Sequence, residues 1–136
     1  MKLINKITFI IIFLFANVNA FGAVSGVVDS FQVTQRIPTG VVFNPDGTKM
    51  FISGMSQNKV MEFDLTTGFD VSTATINSNE CNHQPKDGNV VDLRLNSNGT
   101  KLFLVGYDNK IILEYSLSTA YNVSTCSYEN TFFSGD

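Results

Sequence analysis

The stretch NPDGTKMFISG, Asn44 to Gly54, returns 52 residues later as NSNGTKLFLVG, Asn96 to Gly106. The same offset carries EFDLTTGFDVST, Glu62 to Thr73, onto EYSLSTAYNVST, Glu114 to Thr125. Where the letters change, size and polarity mostly do not, as in Met50 and Leu102, Ile52 and Leu104, Phe63 and Tyr115, Phe69 and Tyr121, Asp70 and Asn122. Similar chemistry at corresponding positions implies similar burial. Self-similarity at a fixed period of this length marks an array of stacked units, each too small to bury its apolar face alone.

Each unit reads as four short strands, and helix signals are nearly absent. In the first unit, strand A is Gly40 to Asn44, and Pro45-Asp46-Gly47 turns into strand B, Lys49 to Ser53. Gly47, like Gly99 in the second unit, supplies the positive φ of a tight turn, with Asp46 and Asn98 as its polar partners. Met50, Phe51 and Ile52 are consecutive and apolar, the pattern of a strand buried on both faces. Strand C, Lys59 to Leu65, alternates, with Met61, Phe63 and Leu65 on one side and Val60, Glu62 and Asp64 on a partly wet one. A polar strand D, about Thr73 to Ser78, reads as an edge. The second unit repeats the order over Val90 to Asn96, Lys101 to Val105, Lys110 to Leu117 and about Thr125 to Phe132. Upstream, Val27 to Val33 reads as a lone strand completing a preceding unit.

PTGVVFNPDGTKMFISG followed by NKVMEFDLTTGFDVSTAT resembles the blade repeat of secreted bacterial β-propellers of the YVTN and lactonase-like type. The resemblance covers nearly the whole chain after its first twenty residues. It departs from the pattern at Val90, which stands where the first unit has Pro38, and at Asn98, which replaces Asp46. It implies an all-β fold of two four-stranded antiparallel β-propeller blades, 38–80 and 81–136, preceded by a strand within 21–37. Propellers close with about four to eight blades, so two blades and a strand make an open, partial propeller. The expectation is a fragment of a larger ring, or a subunit that self-associates through exposed blade faces. Some small bacterial fucose-binding lectins resemble the second case, building a ring from two-blade subunits.

Residues 1–20 are set aside from the fold. Lys2 and Lys6 precede an apolar run, Ile7 to Phe15, broken only by Thr8 and shorter than the roughly 20 residues that span a membrane. Val18-Asn19-Ala20 then offers small residues for cleavage after Ala20, so the segment reads as a signal peptide and the protein as exported. The chain carries a net charge of −3 with scattered Lys and Arg, which excludes the basic footprint of a nucleic-acid binder. Two cysteines, Cys81 and Cys126, permit a disulfide in an oxidising compartment. They are not at equivalent repeat positions, and Cys126 alternatively reads as a small buried residue in the place of Ala74.

Each candidate site also has a structural role open to it. The Asn44 to Gly47 and Asn96 to Gly99 turns place oxygens as calcium loops begin, but no closing carboxylate follows, so they read as hairpins. Glu62 and Glu114 recur in both units, which favours structural pairing with a lysine such as Lys59 or Lys110 over acid/base work in one tuned pocket. His83, in the connector SNECNHQPKDGN, lacks spaced metal ligands and reads as a solvated loop residue. Asn98-Gly99-Thr100 and Asn122-Val123-Ser124 are glycosylation sequons by spacing, relevant in a eukaryotic host. Asp92 and Arg94 break the symmetry most, standing where the first unit has Gly40 and Val42. Strand A lines the channel of propellers, so these two are the candidate ligand-binding residues, with a salt bridge between blades as the structural alternative. No catalytic residue, metal site or cofactor is indicated.

The leading expectation is therefore a non-enzymatic binding or scaffolding module for a protein or carbohydrate ligand. The alternatives are a lactonase-like propeller enzyme, as the resemblance allows, and a sugar-binding oligomer, for which Tyr107, Tyr115 and Tyr121 would replace the missing Trp.

Overall fold

The computed structural model describes residues 29–133. They form two four-stranded antiparallel sheets joined by a short connector. The first comprises β1 (Pro38–Phe43), β2 (Lys49–Gly54), β3 (Lys59–Leu65) and β4 (Ala74–Asn82). The second comprises β5 (Val90–Leu95), β6 (Lys101–Gly106), β7 (Ile111–Leu117) and β8 (Cys126–Phe133). Strands in each sheet lie side by side in chain order, a meander of the kind short hairpin turns produce. The one helical departure is a single 3-10 turn before each outer strand, Val71–Thr73 and Val123–Thr125.

The 52-residue offset extends to the backbone. Positive φ occurs at Gly47, Asn58 and Phe69, and again at Gly99, Lys110 and Tyr121, each pair one period apart. Phe69 and Tyr121 accept this uncommon conformation because each donates its N–H to the carbonyl of the turn glycine, Gly47 or Gly99, and lays its ring against it. The same turns explain the recurring Asp/Asn-x-Ser/Thr pattern. Asp46 Oδ1 accepts from Thr48 N at 3.0 Å and Asp70 Oδ1 from Ser72 N at 3.1 Å; Asn98 and Asn122 do the same for Thr100 and Ser124. The hydroxyls of Thr48 and Ser72 also donate to these carboxylates, at 2.6 and 2.7 Å, and chiefly these bonds, with the backbone ones, hold the Asp46 and Asp70 carboxyls below the ordinary value.

The core lies between the sheets. Leu93, Leu102, Leu104, Leu113 and Val123 of the second unit are buried with Phe51, Val60 and Cys81 of the first in one cluster. The opposite face of the first sheet holds Met50, Ile52, Met61, Phe63, Leu65 and Ala74, with Phe31 and Val33 packed against it. The inner strands β1 and β5 run together at one side of the junction, and Thr39 Oγ1 donates to the Val90 carbonyl at 2.7 Å across it. At the other side the second 3-10 turn packs against β4.

Several expectations are corrected. The described part of the lone strand, Asp29 to Val33, is irregular. By the 52-residue offset Phe31 to Ile37 matches His83 to Asn89, so it is a connector, whose apolar side chains pack on the sheet without laddering. Val27 and Val28 lie outside the described residues, as does the segment read as a signal peptide. Strand D of the first unit runs on to Asn82, so Cys81 belongs to β4 and not to the connector. The side of β3 expected to be partly wet is dry at Val60 and Glu62, both fully buried, because the second sheet covers it.

Candidate functional site

The junction between the sheets is organised around Glu62. Its side chain is fully buried, yet its carboxylate is saturated: Oε1 accepts from Lys49 Nζ and from the Asn77 and Asn79 amides at 3.1 Å, and Oε2 accepts the backbone N–H of Val123 at 3.0 Å. A buried carboxylate persists only with such pairing. The lysine partners are corrected here. Glu62 pairs with Lys49, and Glu114 with Lys101, across the β2–β3 and β6–β7 ladders, while Lys59 turns to Glu80. Burial alone would lower the Lys49 pKa, but the hydrogen bonds and charges of Glu62 and Asp64 outweigh it and raise it.

A second anchor joins the outer strands. Cys81 near the end of β4 and Cys126 at the start of β8 form a disulfide with Cα atoms 5.9 Å apart. The two positions are inequivalent in the repeat because the bridge crosses from one sheet to the next. Beside it, His83 is fully buried, which corrects its reading as a solvated loop residue. Its Nδ1 lies 2.7 Å from the Asp87 carbonyl oxygen, and its Nε2 has no hydrogen-bond partner among the described residues. Burial pulls the imidazole below its ordinary value, against the opposing pull of Asp87. The Asp87 carboxylate is itself consumed, accepting from Asn89 N at 2.9 Å and Asn109 N at 3.0 Å and filling the space left by Gly106. Among the described residues no cluster of three or more His, Cys, Asp or Glu side chains is placed to hold a metal ion.

Asp92 and Arg94 are the opposite case. Arg94 Nη1 donates to Asp92 Oδ1 at 3.1 Å, with side chains 65% and 40% exposed. The pair lies within β5, not between the sheets, so the interblade salt bridge is corrected to an intrastrand one. Arg94 also donates to the Leu93 carbonyl at 2.8 Å, which fixes the guanidinium near the strand. A Cβ at Gly40 would lie 3.2 Å from Asp92 Oδ1, which places this carboxylate at the seam between the inner strands.

Asp92 is paired in register with Val105. Val105 lines an open cavity of about 470 Å³ together with Val91, Gly106, Tyr107, Asp108 and Lys110. Tyr107 is 66% exposed, and the Asp108 carboxylate is held by the Asn89 amide at 2.9 Å to each oxygen. The arrangement combines an accessible aromatic face, a positioned carboxylate and apolar walls, with the Asp92–Arg94 pair alongside. Such a surface can hold a ligand by stacking and hydrogen bonding. Of the tyrosines named as sugar platforms, only Tyr107 is free to act. Tyr115 is buried, its phenol pushed up to about 12 by burial and by Tyr128, and Tyr121 donates its hydroxyl to the Ser97 carbonyl. Sequence reading missed Asp108 and the cavity. Their signal was the YDN turn after β6, which replaces MSQ of the first unit.

No protein-family model, curated protein or solved structure matches this chain. Function therefore rests on the site itself.

Proposed function

We propose that the chain is an exported β-propeller segment that serves as a non-enzymatic binding or scaffolding module, its ring completed by further sheets of the same kind. The observation that carries this reading is where the repeat breaks outward. Gly40 and Val42 of the first unit become Asp92 and Arg94 in the second, beside a cavity rimmed by Tyr107 and Asp108. Among the described residues the buried polar groups elsewhere are engaged in the packing of the two sheets, which supports this reading over acid/base catalysis by a pair of differently tuned groups. Export is supported by the basic start and short apolar run of residues 1–20, and by a disulfide of the kind that persists in oxidising compartments. Among the described residues no helix is long and apolar enough to cross a membrane.

A carbohydrate ligand is the second reading, favoured by the exposed Tyr107 ring next to a fixed carboxylate. Probing an oligosaccharide array with the labelled protein tests both. Binding that is lost in Tyr107→Ala and weakened in Arg94→Ala, at unchanged thermal stability, supports the site. Arg94→Ala is expected to leave stability nearly intact because an exposed pair contributes about 0–1 kcal/mol. A large stability loss in Arg94→Ala, or glycan binding indifferent to both changes, would overturn the assignment.

A further inference from the structure

The face of the second sheet turned away from the first is the equivalent of the surface by which the first sheet holds the second. Phe103, Val105, Ile112 and Glu114 stand where Phe51, Ser53, Val60 and Glu62 stand one period earlier. The earlier four are completely buried under the second sheet; Val105 and Ile112 are 40% and 39% exposed. The polar anchor is also half built. Glu62 takes Lys49 on Oε1 and the N–H of Val123 on Oε2, whereas Glu114 takes Lys101 on Oε1 in the same way and receives no backbone N–H among the described residues. The missing donor exists elsewhere in the molecule. The first sheet carries its own 3-10 turn, Val71–Thr73, with the same Val-Ser-Thr sequence as Val123–Thr125.

We propose that this face receives the first sheet of a second copy of the chain, head to tail, with Glu114 of one copy accepting the N–H of Val71 of the next. The proposal rests on the reading of the two sheets as propeller-type repeats and names what extends them. The incoming face would present Met50, Ile52 and Met61 where the internal junction uses Leu102, Leu104 and Leu113, side chains of similar volume. Phe31 and Val33, which pack on that face, do not obstruct it. They match His83 and Pro85 by the 52-residue offset, and those residues coexist with the docked second sheet. The contact is heterologous, so it propagates from copy to copy, into a ring where the rotation closes and into a filament where it does not. Tyr107 and Asp108 remain at the rim, since their equivalents Met55 and Ser56 are half-buried and exposed beside the second sheet. The cavity thus becomes a cleft between copies.

One position tunes the fit. Gly40 leaves room for Leu93, whose Cδ2 would lie 2.7 Å from a Cβ there. Asp92 fills the corresponding place on β5, and the incoming residue is the shorter Val41.

The internal disulfide supplies the test. Cys81 pairs with Val60 in the ladder as Phe132 pairs with Ile112, and Cys126 pairs with Leu117 as Ala74 pairs with Leu65. Phe132→Cys on one copy and Ala74→Cys on another therefore reproduce the geometry of the Cys81–Cys126 bridge between copies. The two variants are mixed in a glutathione buffer and resolved by intact mass without reductant. A mixed disulfide formed several-fold faster than either homodisulfide is expected, accelerated by Asp92→Gly and suppressed at least tenfold by Val105→Arg. Homodisulfides in statistical excess, or indifference to Val105→Arg in a variant whose circular dichroism matches the wild type, would overturn the proposal. Loss of the cross-link with glycan binding at Tyr107 retained refutes the docking alone. Failure of Cys81 and Cys126 to bridge within one chain would instead refute the repeat packing on which it rests.

Discussion

Glu62 and Glu114 occupy the same place in the repeat, carry the same charge and pair with equivalent lysines, but Glu62 alone of the two takes the Val123 N–H of the neighbouring sheet and the Asn77 and Asn79 amides of its own among the described residues. Glu62→Ala removes the acceptor of four hydrogen bonds, leaving the Val123 N–H inside the junction without its partner and Lys49 without its buried counter-ion. Breaking a buried ion pair on one side costs about 3–5 kcal/mol. Lys49 is 30% exposed and keeps Asp64 at 3.1 Å, which recovers part of that loss, so the lower end, about 3 kcal/mol, is expected. With a urea m-value of roughly 1–2 kcal/mol/M, the unfolding midpoint should fall by about 2 M. In the unassembled chain at high dilution, Glu114→Ala breaks an ion pair open to solvent, with Lys101 44% exposed, and should move the midpoint only slightly. Urea titrations of the three proteins, followed by circular dichroism at neutral pH with the disulfide intact, decide the matter. Equal losses at the two positions would refute the assignment of Glu62 as the inter-sheet anchor, because the Val123 N–H of the neighbouring sheet and the Asn77 and Asn79 amides of its own would then contribute nothing.

The Cys81–Cys126 bridge spans a sequence separation of 45, and closing a loop of that length in the unfolded chain is worth about 4 kcal/mol on the chain-entropy estimate. The Cys81→Ala/Cys126→Ala protein is therefore expected to melt well below the wild type in calorimetry, and an unchanged melting temperature would contradict the bridge. His83 supplies a pH window. Its folded pKa lies below the ordinary 6.5, so the unfolded chain takes up the proton first as pH falls, and stability held above about pH 6.5 is lost from there downward. His83→Phe, which restores the residue type of Phe31 one period earlier, should flatten the melting temperature between pH 6.5 and 5; an unaltered slope would assign that slope to other groups.

The sequence disclosed the architecture because the repeat encodes what is local. Turn glycines, the Asp/Asn-x-Ser/Thr caps and the apolar faces of the strands all depend on neighbours a few residues away, and strands A, B and C of each unit fall within a residue or two of β1, β2, β3, β5, β6 and β7. What it concealed depends on how one sheet meets the next. Glu62 looked half-wet because alternation within β3 cannot reveal that another sheet covers its polar side. The lysine partner was misassigned because cross-strand neighbours in an antiparallel ladder are set by register: Lys49 sits opposite Asp64, next to Glu62 along the strand, while Lys59 faces Asn82 on β4. His83 looked solvated because its surroundings are polar in sequence, yet the connector folds back over the sheet end.

Breaks in the repeat separate into two kinds once their surroundings are known. Cys81, Cys126 and Asp87 differ from Asp29, Ala74 and Gln35 one period away, but each is consumed inside the molecule, in the bridge or against Gly106. Those changes serve the junction and say nothing about a ligand. Asp92, Arg94 and Tyr107 differ from Gly40, Val42 and Met55 without any comparable internal use: the Asp92–Arg94 pair is exposed and confined to one strand, and Tyr107 stands out from the surface. An exposed tyrosine and an intrastrand ion pair contribute little to stability. They are therefore the positions at which the proposed binding role is tested, and the β5–β6 end that carries them is also where the proposed docked copy would leave a cleft.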